Sequence, residues 1–244
     1  MRIEKEVYSV SEGLSKLLNK YNITPPSYEL EGHTLKIADE TIPLFPWRNE
    51  PRFREMKKLY TNGVIGNLSS IRAMRTTASD NTLADNLYRE VDLCIWWAGM
   101  KLVNVFAVVN GPCANVIMRF ENKADVILEV ASTLPDGSEP IERHEFYTDH
   151  GLTTDQAIDT LIKQHSLYAF IEGQPARTFT DNDFELYGLA PDQTALVRTA
   201  FSALSGEVSV QKAQKDAAYV NQVVDAIMES ARTQTVISLE EGIV

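Results

Sequence analysis

Apolar side chains recur at helical spacing near the start of the chain, where Leu14, Leu17, Leu18 and Tyr21 follow the capping box Ser9-Val10-Ser11-Glu12. The pattern predicts an amphipathic helix over residues 10 to 21, and the Pro25-Pro26 pair forbids its continuation. Leu35 and Ile37 then alternate with polar residues, and Ile42, Leu44 and Phe45 resume the pattern after Ala38-Asp39-Glu40, which predicts a short hairpin. A second helix is expected from Pro51, with Phe53, Met56, Leu59 and Tyr60 on one side and a stop at Asn62-Gly63.

Beyond Gly66 the period shortens to two. Ile71, Ala73 and Arg75 alternate with Arg72, Met74 and Thr76 in a strand, and residues 84 to 98 form a helix ending at Gly99. Apolar runs at 102 to 109, 114 to 120 and 126 to 131 read as strands, the last two joined by a turn short enough for antiparallel pairing. A strand at 141 to 148 follows, then helices at about 154 to 171, 191 to 205 and 209 to 233, and a final strand at 235 to 239. Strands clustered between helices predict an α+β fold: a large, mostly antiparallel open sheet with helices on one face.

Composition narrows the class. The chain has 244 residues, 44% hydrophobic and 23% charged, enough for one large core or two smaller ones. No apolar run approaches the roughly 18 residues of a membrane span, and charges interrupt residues 1 to 22 where a signal peptide needs an apolar stretch, so a cytoplasmic location is expected. Cys94 and Cys113 have no metal-site spacing and allow at most one bridge. The net charge of -11 disfavours nucleic acid and anionic membranes as partners. Residues 1 to 66 hold ten basic and nine acidic side chains against thirteen and twenty-five in the remainder, which suggests two parts.

Familiar chemical motifs are missing. Gly63-Val-Ile-Gly66 is the nearest approach to a dinucleotide fingerprint, and it follows a helix rather than a strand. His33, His144, His150 and His165 are far apart and read as surface or hydrogen-bonded residues. The informative stretch is 84 to 99, where Asp85, Arg89, Asp92 and Trp96 share one helical face while Leu87, Val91 and Ile95 line another. That stripe reads either as a pocket wall or as an i,i+4 ion pair between Asp85 and Arg89 extended to Asp92, each pair worth about 0.2–0.5 kcal/mol.

The same stretch resembles the segment D-x-x-x-H-x-x-D-x-x-x-W-L-x-G of the glucose-fructose oxidoreductase, inositol dehydrogenase and MocA family of NAD(P)-dependent enzymes. Further pieces occur in the same order. Phe53-Arg-Glu-Met-Lys-Lys-Leu with Asn62-Gly-Val-Ile-Gly66 resembles the family's helix and G-x-I-G turn, and Ala114-Asn-Val-Ile-Met-Arg-Phe-Glu-Asn122 its hairpin, with Lys123 in place of glycine. Phe201 to Gly206, Asp225 to Ala231 and Val236 to Leu239 resemble its closing helix and terminal strand. At the N-terminus, Glu4-Lys5-Glu6 resembles the E-K-P motif with its proline replaced.

The resemblance implies a division at residue 48: residues 1 to 48 as a remnant of a Rossmann-like domain, and residues 49 to 244 as a C-terminal α+β substrate and oligomerisation domain. The strands and glycine loop that hold a dinucleotide pyrophosphate are then expected to be absent. It carries the family's catalytic positions onto Lys5, Asp85 and Arg89, the last replacing a histidine that accepts the substrate proton, and an arginine cannot take that role. Arg89 is suited instead to hold a carboxylate or phosphate. Trp47, Arg48, Tyr88 and Asp92 complete the candidate pocket, with no metal expected.

Two functional readings follow. One is a non-catalytic or partner-dependent substrate-binding and assembly subunit, with no cofactor of its own and a separate nucleotide-binding chain as an alternative partner. The other is a working NAD(P)-dependent oxidoreductase for a polyol, sugar or related substrate. Apolar residues at nearly every position of 102 to 109 and 114 to 130, more than one covered face needs, favour a homodimer or homotetramer through the sheet.

Overall fold

The computed structural model describes residues 8–156, 165–179 and 188–239. It divides into two compact units. The first comprises residues up to Arg54 together with the described residues between Asp181 and Ala218, and the second comprises Glu55–Thr180 and Tyr219 onward.

In the first unit, α1 (Val10–Lys20) starts where the sequence places it. Ser9 Oγ accepts the Glu12 amide at 3.3 Å while the Glu12 carboxylate accepts the Ser9 amide at 2.8 Å, so two amides without helical partners are satisfied. Leu14, Leu17 and Leu18 form its buried face. The expected hairpin is one strand larger: β1 (Tyr28–Glu31), β2 (Thr34–Ile37) and β3 (Glu40–Pro43) form an antiparallel meander. A short 3-10 turn, Pro46–Asn49, packs on α4 (Pro191–Leu204), and α4 packs on α1. Between the units in sequence runs α2 (Pro51–Thr61).

The second unit is built on a nine-stranded sheet. Its strands are β4 (Leu68–Ala78), β5 (Leu102–Asn110), β6 (Cys113–Phe120), β7 (Asp125–Leu134), β8 (Ile141–Thr148), β9 (Gly151–Thr154), β10 (Leu167–Ile171), β11 (Arg177–Phe179) and β12 (Ile237–Ser238). The order is β11-β10-β9-β8-β4-β7-β6-β5-β12. The sheet is mixed: β4 and β7 run parallel, and the other neighbouring pairs run antiparallel. The parallel pair is reached after α3 (Leu83–Ala98), whose last turn closes on Gly99 at φ +62°, a left-handed cap that glycine adopts without a Cβ penalty. The helix expected at about 154 to 171 is a correction. Thr154 closes β9 and Leu167–Ile171 is strand β10, while residues 157–164 lie outside the described residues. A short apolar run such as Leu167 to Ile171 fits either period, and pairing with β9 and β11 decided the matter.

One sheet face carries the core. Ile71, Ala73, Val116, Met118, Val126, Leu128, Val130 and Phe146 are buried there, and α3 covers β4 and β7 with Leu87, Val91 and Trp97. Each large side chain so removed from water contributes about 1.5–3 kcal/mol. The second half of α5 (Val210–Thr233) fastens the β5 edge: Tyr219 Oη accepts the Leu102 amide and Ser230 Oγ the Ala107 amide, both at 3.0 Å. Backbone donors of β5 that the two-residue β12 does not reach are thereby satisfied. On the opposite face, Val108, Ile117 and Ile127 are 53%, 53% and 43% exposed, with Ile117 facing Ile127 across the strands.

Gly151 of β9 lies so close to β10 that a Cβ there would sit 2.1 Å from the Phe170 carbonyl oxygen and 3.1 Å from the Ile171 Cα. Gly151→Ala must therefore push two hydrogen-bonded strands apart. The expected loss is about 1–3 kcal/mol, read as a lower urea midpoint at unchanged slope; an unchanged midpoint would show that the strands are not held this closely.

Candidate functional site

α3 takes the place the sequence gives it because Thr82 caps it. Thr82 Oγ accepts the Asp85 amide at 3.1 Å and donates to the Asp85 carboxylate at 2.6 Å. Asp85 is therefore an exposed capping residue in the first turn, where a carboxylate also meets the positive end of the helix dipole.

The chemistry of α3 lies one position further round the helix. Arg89 is 11% exposed and its guanidinium pairs with two carboxylates, Glu90 beside it and Glu142 of β8, the latter at 3.2 Å. Glu142 also pairs with Arg75, its cross-strand neighbour on β4. Arg75 Nε in turn donates to Asn86 Oδ1 at 3.0 Å, and the Asn86 amide donates to Thr77 Oγ and Ser132 Oγ at 2.7 and 3.0 Å.

The Glu90 carboxylate, fully buried, reaches His144 Nε2 at 2.9 Å. On the other side of the ring, His144 Nδ1 lies 2.6 Å from Asp155 Oδ2, and the His144 amide donates to Asp155 Oδ1 at 2.7 Å. Trp97 packs against the ring with its centroid at 5.5 Å. The result is a row that alternates in charge: Arg75, Glu142, Arg89, Glu90, His144 and Asp155.

Such a row is stable in a low-dielectric interior only if its charges balance. Burial pushes the Glu90 carboxyl up, but Arg89, His144 and Arg75 outweigh it and hold the group down to about 2. Burial likewise pulls the His144 imidazolium down, and Asp155 with Glu90 overcomes this to leave it above its ordinary value. Beyond the row, burial and the charges of Glu90 and Asp92 push the Cys94 thiol up, so it stays protonated.

The sequence candidates are dispersed. Asp85, Tyr88, Arg89 and Asp92 belong to α3 in the second unit, with Asp92 fully buried and Tyr88 half-buried. Trp47 and Arg48 belong to the first unit. There Trp47 is buried edge-on to Phe45 and His33, and Arg48 donates to Asp216 at 2.7 Å while lying 4.0 Å over the Phe45 ring. Lys5 lies outside the described residues. Trp96, the end of the sequence stripe, carries the Lys57 ammonium 4.2 Å over its ring. The ion pairs of Arg89 run to Glu90 and Glu142, while Asp85 turns to Thr82.

Sequence reasoning missed Arg75, Glu90, Glu142, His144 and Asp155. One signal was present: His144 shares a strand face with Phe146, an apolar residue that is buried, so the imidazole had to be buried beside it. Among the described residues no cluster of His, Cys, Asp and Glu is arranged to hold a metal, and no helix is long and apolar enough to cross a membrane.

No family model matches the sequence, and no curated protein matches it. Solved structures do share the fold. Levoglucosan dehydrogenase in complex with NADH and levoglucosan aligns over 81% of this chain and 65% of its own, with a TM-score of 0.66 at 18% identity. Apo scyllo-inositol dehydrogenase from Lactobacillus casei aligns over 80% and 62%, with a TM-score of 0.55 at 15% identity. An oxidoreductase from Sinorhizobium meliloti aligns over 94% and 69%, at 0.63 and 16%. The match thus spans less than two thirds of both dehydrogenases, and at these identities the likeness is one of fold.

Glu90→Gln removes one charge from the row and leaves cations uncompensated, so it should lower stability by about 3–5 kcal/mol in urea unfolding near neutral pH. Asp85→Asn, at an exposed cap, should lose less than about 1 kcal/mol. Equal losses would contradict the row. The pH profile of stability follows from the same two groups. Glu90, lowered from 4.5, contributes stability that is complete above 4.5 and is lost as pH falls towards about 2. His144, raised from 6.5, contributes stability that is complete below 6.5 and is lost as pH rises through its folded value. Urea midpoints should therefore be highest between pH 4.5 and 6.5.

Proposed function

We propose that this chain is a substrate-binding and assembly subunit with an oxidoreductase fold that does not itself carry out hydride transfer. The observation that carries this reading is Arg89. It stands where the sequence resemblance puts the proton-accepting histidine, and its guanidinium is engaged by Glu90 and Glu142. A guanidinium keeps its protons at any physiological pH and cannot accept one from a substrate hydroxyl. His144, the imidazole nearest in the row, is fully buried with both ring nitrogens against carboxylates, so it is no substitute base.

Three of the five described α-helices also fit a dinucleotide poorly. A pyrophosphate is held by open amides at a helix N-terminus. α1, α3 and α4 each place a carboxylate, Glu12, Asp85 and Asp192, in the first turn, where it would repel a diphosphate. No step of this proposal passes through NAD(P).

Assembly is supported by the open sheet face. Val108, Ile117 and Ile127 expose apolar surface there, and a second copy of the chain is its proposed cover. Sedimentation at micromolar concentration should give a dimer or larger species, and Ile117→Lys should shift it towards monomer. A wild-type protein that sediments as a single monomer would remove this part of the proposal.

The cofactor question is tested by titration with NADH and NADPH, following energy transfer from Trp47, Trp96 and Trp97, with calorimetry as a second readout. No saturable micromolar binding is expected. Saturable binding would overturn the proposal in favour of a working NAD(P)-dependent oxidoreductase, with Lys5 as the group to examine for proton relay.

A further inference from the structure

The row has a property that follows from proton counting. A neutral imidazole carries one N–H and one lone pair, yet His144 presents both ring nitrogens to carboxylate oxygens, at 2.6 and 2.9 Å. With one proton on the ring, a lone pair would face a carboxylate inside a fully buried site. Placing the second proton on a carboxyl instead would waste what each carboxylate already receives: Glu90 its contact with Arg89, Asp155 the His144 amide. With both protons on the ring, Arg75, Arg89 and His144 balance Glu142, Glu90 and Asp155 one for one.

We propose that the row is a proton-operated latch, in which the second proton on His144 fastens α3 to β8 and to the residue after β9, and its loss releases Glu90. The three attachments come from separate elements: Glu90 from α3, His144 from β8 and Asp155 from the residue following β9. Among the described residues, the ring meets Glu90 of α3 and Asp155; behind Glu90 stand Arg89 of α3, Glu142 of β8 and Arg75 of β4, and Cys94 of α3 feels the charges of Glu90 and Asp92.

The released side is Glu90 for a stated reason. Asp155 accepts both the backbone amide and Nδ1–H of His144, so the single remaining proton stays on Nδ1. Nε2 then turns a lone pair on Glu90, and Arg89 is left as the cation touching that carboxylate. The guanidinium is drawn towards Glu90 and away from Glu142, whose charge Arg75 still answers. Solvent pH thereby sets the position of Arg89 and the hold on α3.

The test uses the whole chain labelled with nitrogen-15 and followed by NMR as pH is raised from 6. One imidazole should keep protons on both nitrogens above the ordinary histidine value of about 6.5, and its loss of a proton should coincide with faster amide exchange around Glu90 while β7 stays protected. His144→Gln assigns the signal and should abolish the transition. Because that variant removes a buried cation and is at risk of not folding, Asp155→Asn supplies a second arm. Removing one of the two carboxylates should move the surviving imidazole titration to lower pH by about one unit or more, with the exchange transition moving with it. A His144 ring carrying a single N–H at pH 6, or an exchange transition that does not follow the shifted titration, would overturn the latch.

Discussion

Everything distinctive about the second unit depends on a row of six charged side chains of which Glu90, His144 and Asp155 are buried and Arg75, Glu142 and Arg89 are mostly so. An uncompensated ion in such a place costs several kcal/mol, more than most apolar contacts return. Alternation answers this: each interior member of the row touches an ion of opposite sign on both sides, and the ends are satisfied by Asn86 at Arg75 and by the His144 amide at Asp155. The imidazole is the member whose charge is adjustable at ordinary pH, and so it decides whether the whole row is neutral.

This arrangement also explains why α3 is placed as it is. Leu87, Val91 and Trp97 hold the helix to the sheet without direction, since burial alone tolerates small slides and rotations. The contacts of Glu90 and Arg89 to β8 have short, fixed lengths and allow one rotation of the helix. Buried ion pairs often add little net stability, and fixing a unique arrangement is the role that suits them here.

The fold is shared with dehydrogenases, and the chemistry of the row is a separate matter. A sheet of this kind places the start of α3 and the middle of β4 and β8 in a defined relation, and different side chains can occupy those positions. Here the position that the sequence resemblance sets against a proton-accepting histidine carries Arg89, while His144 comes from β8 and is fully buried. Likeness at 14–19% identity transfers the sheet and its helices. It leaves the function to the side chains.

Local signals in the sequence determined most of the elements. The box at Ser9 and Glu12, the cap at Gly99 and the two-residue alternation from Ile71 act through neighbours a few positions away, so the chain states them directly. The helix wrongly expected across β9 and β10 failed for the same reason in reverse: five apolar residues carry no period of their own, and only pairing partners settle their form. Arg89 stood out in the sequence because the resemblance sets a histidine against its position. Its partners did not. Glu90 and His144 are 54 positions apart and His144 and Asp155 are 11, and each looks like an ordinary polar residue until β8 is laid beside α3. The sequence determined which charges exist; only the tertiary structure decided that they face one another, because burial in a common interior is what turns six separate ions into one balanced row.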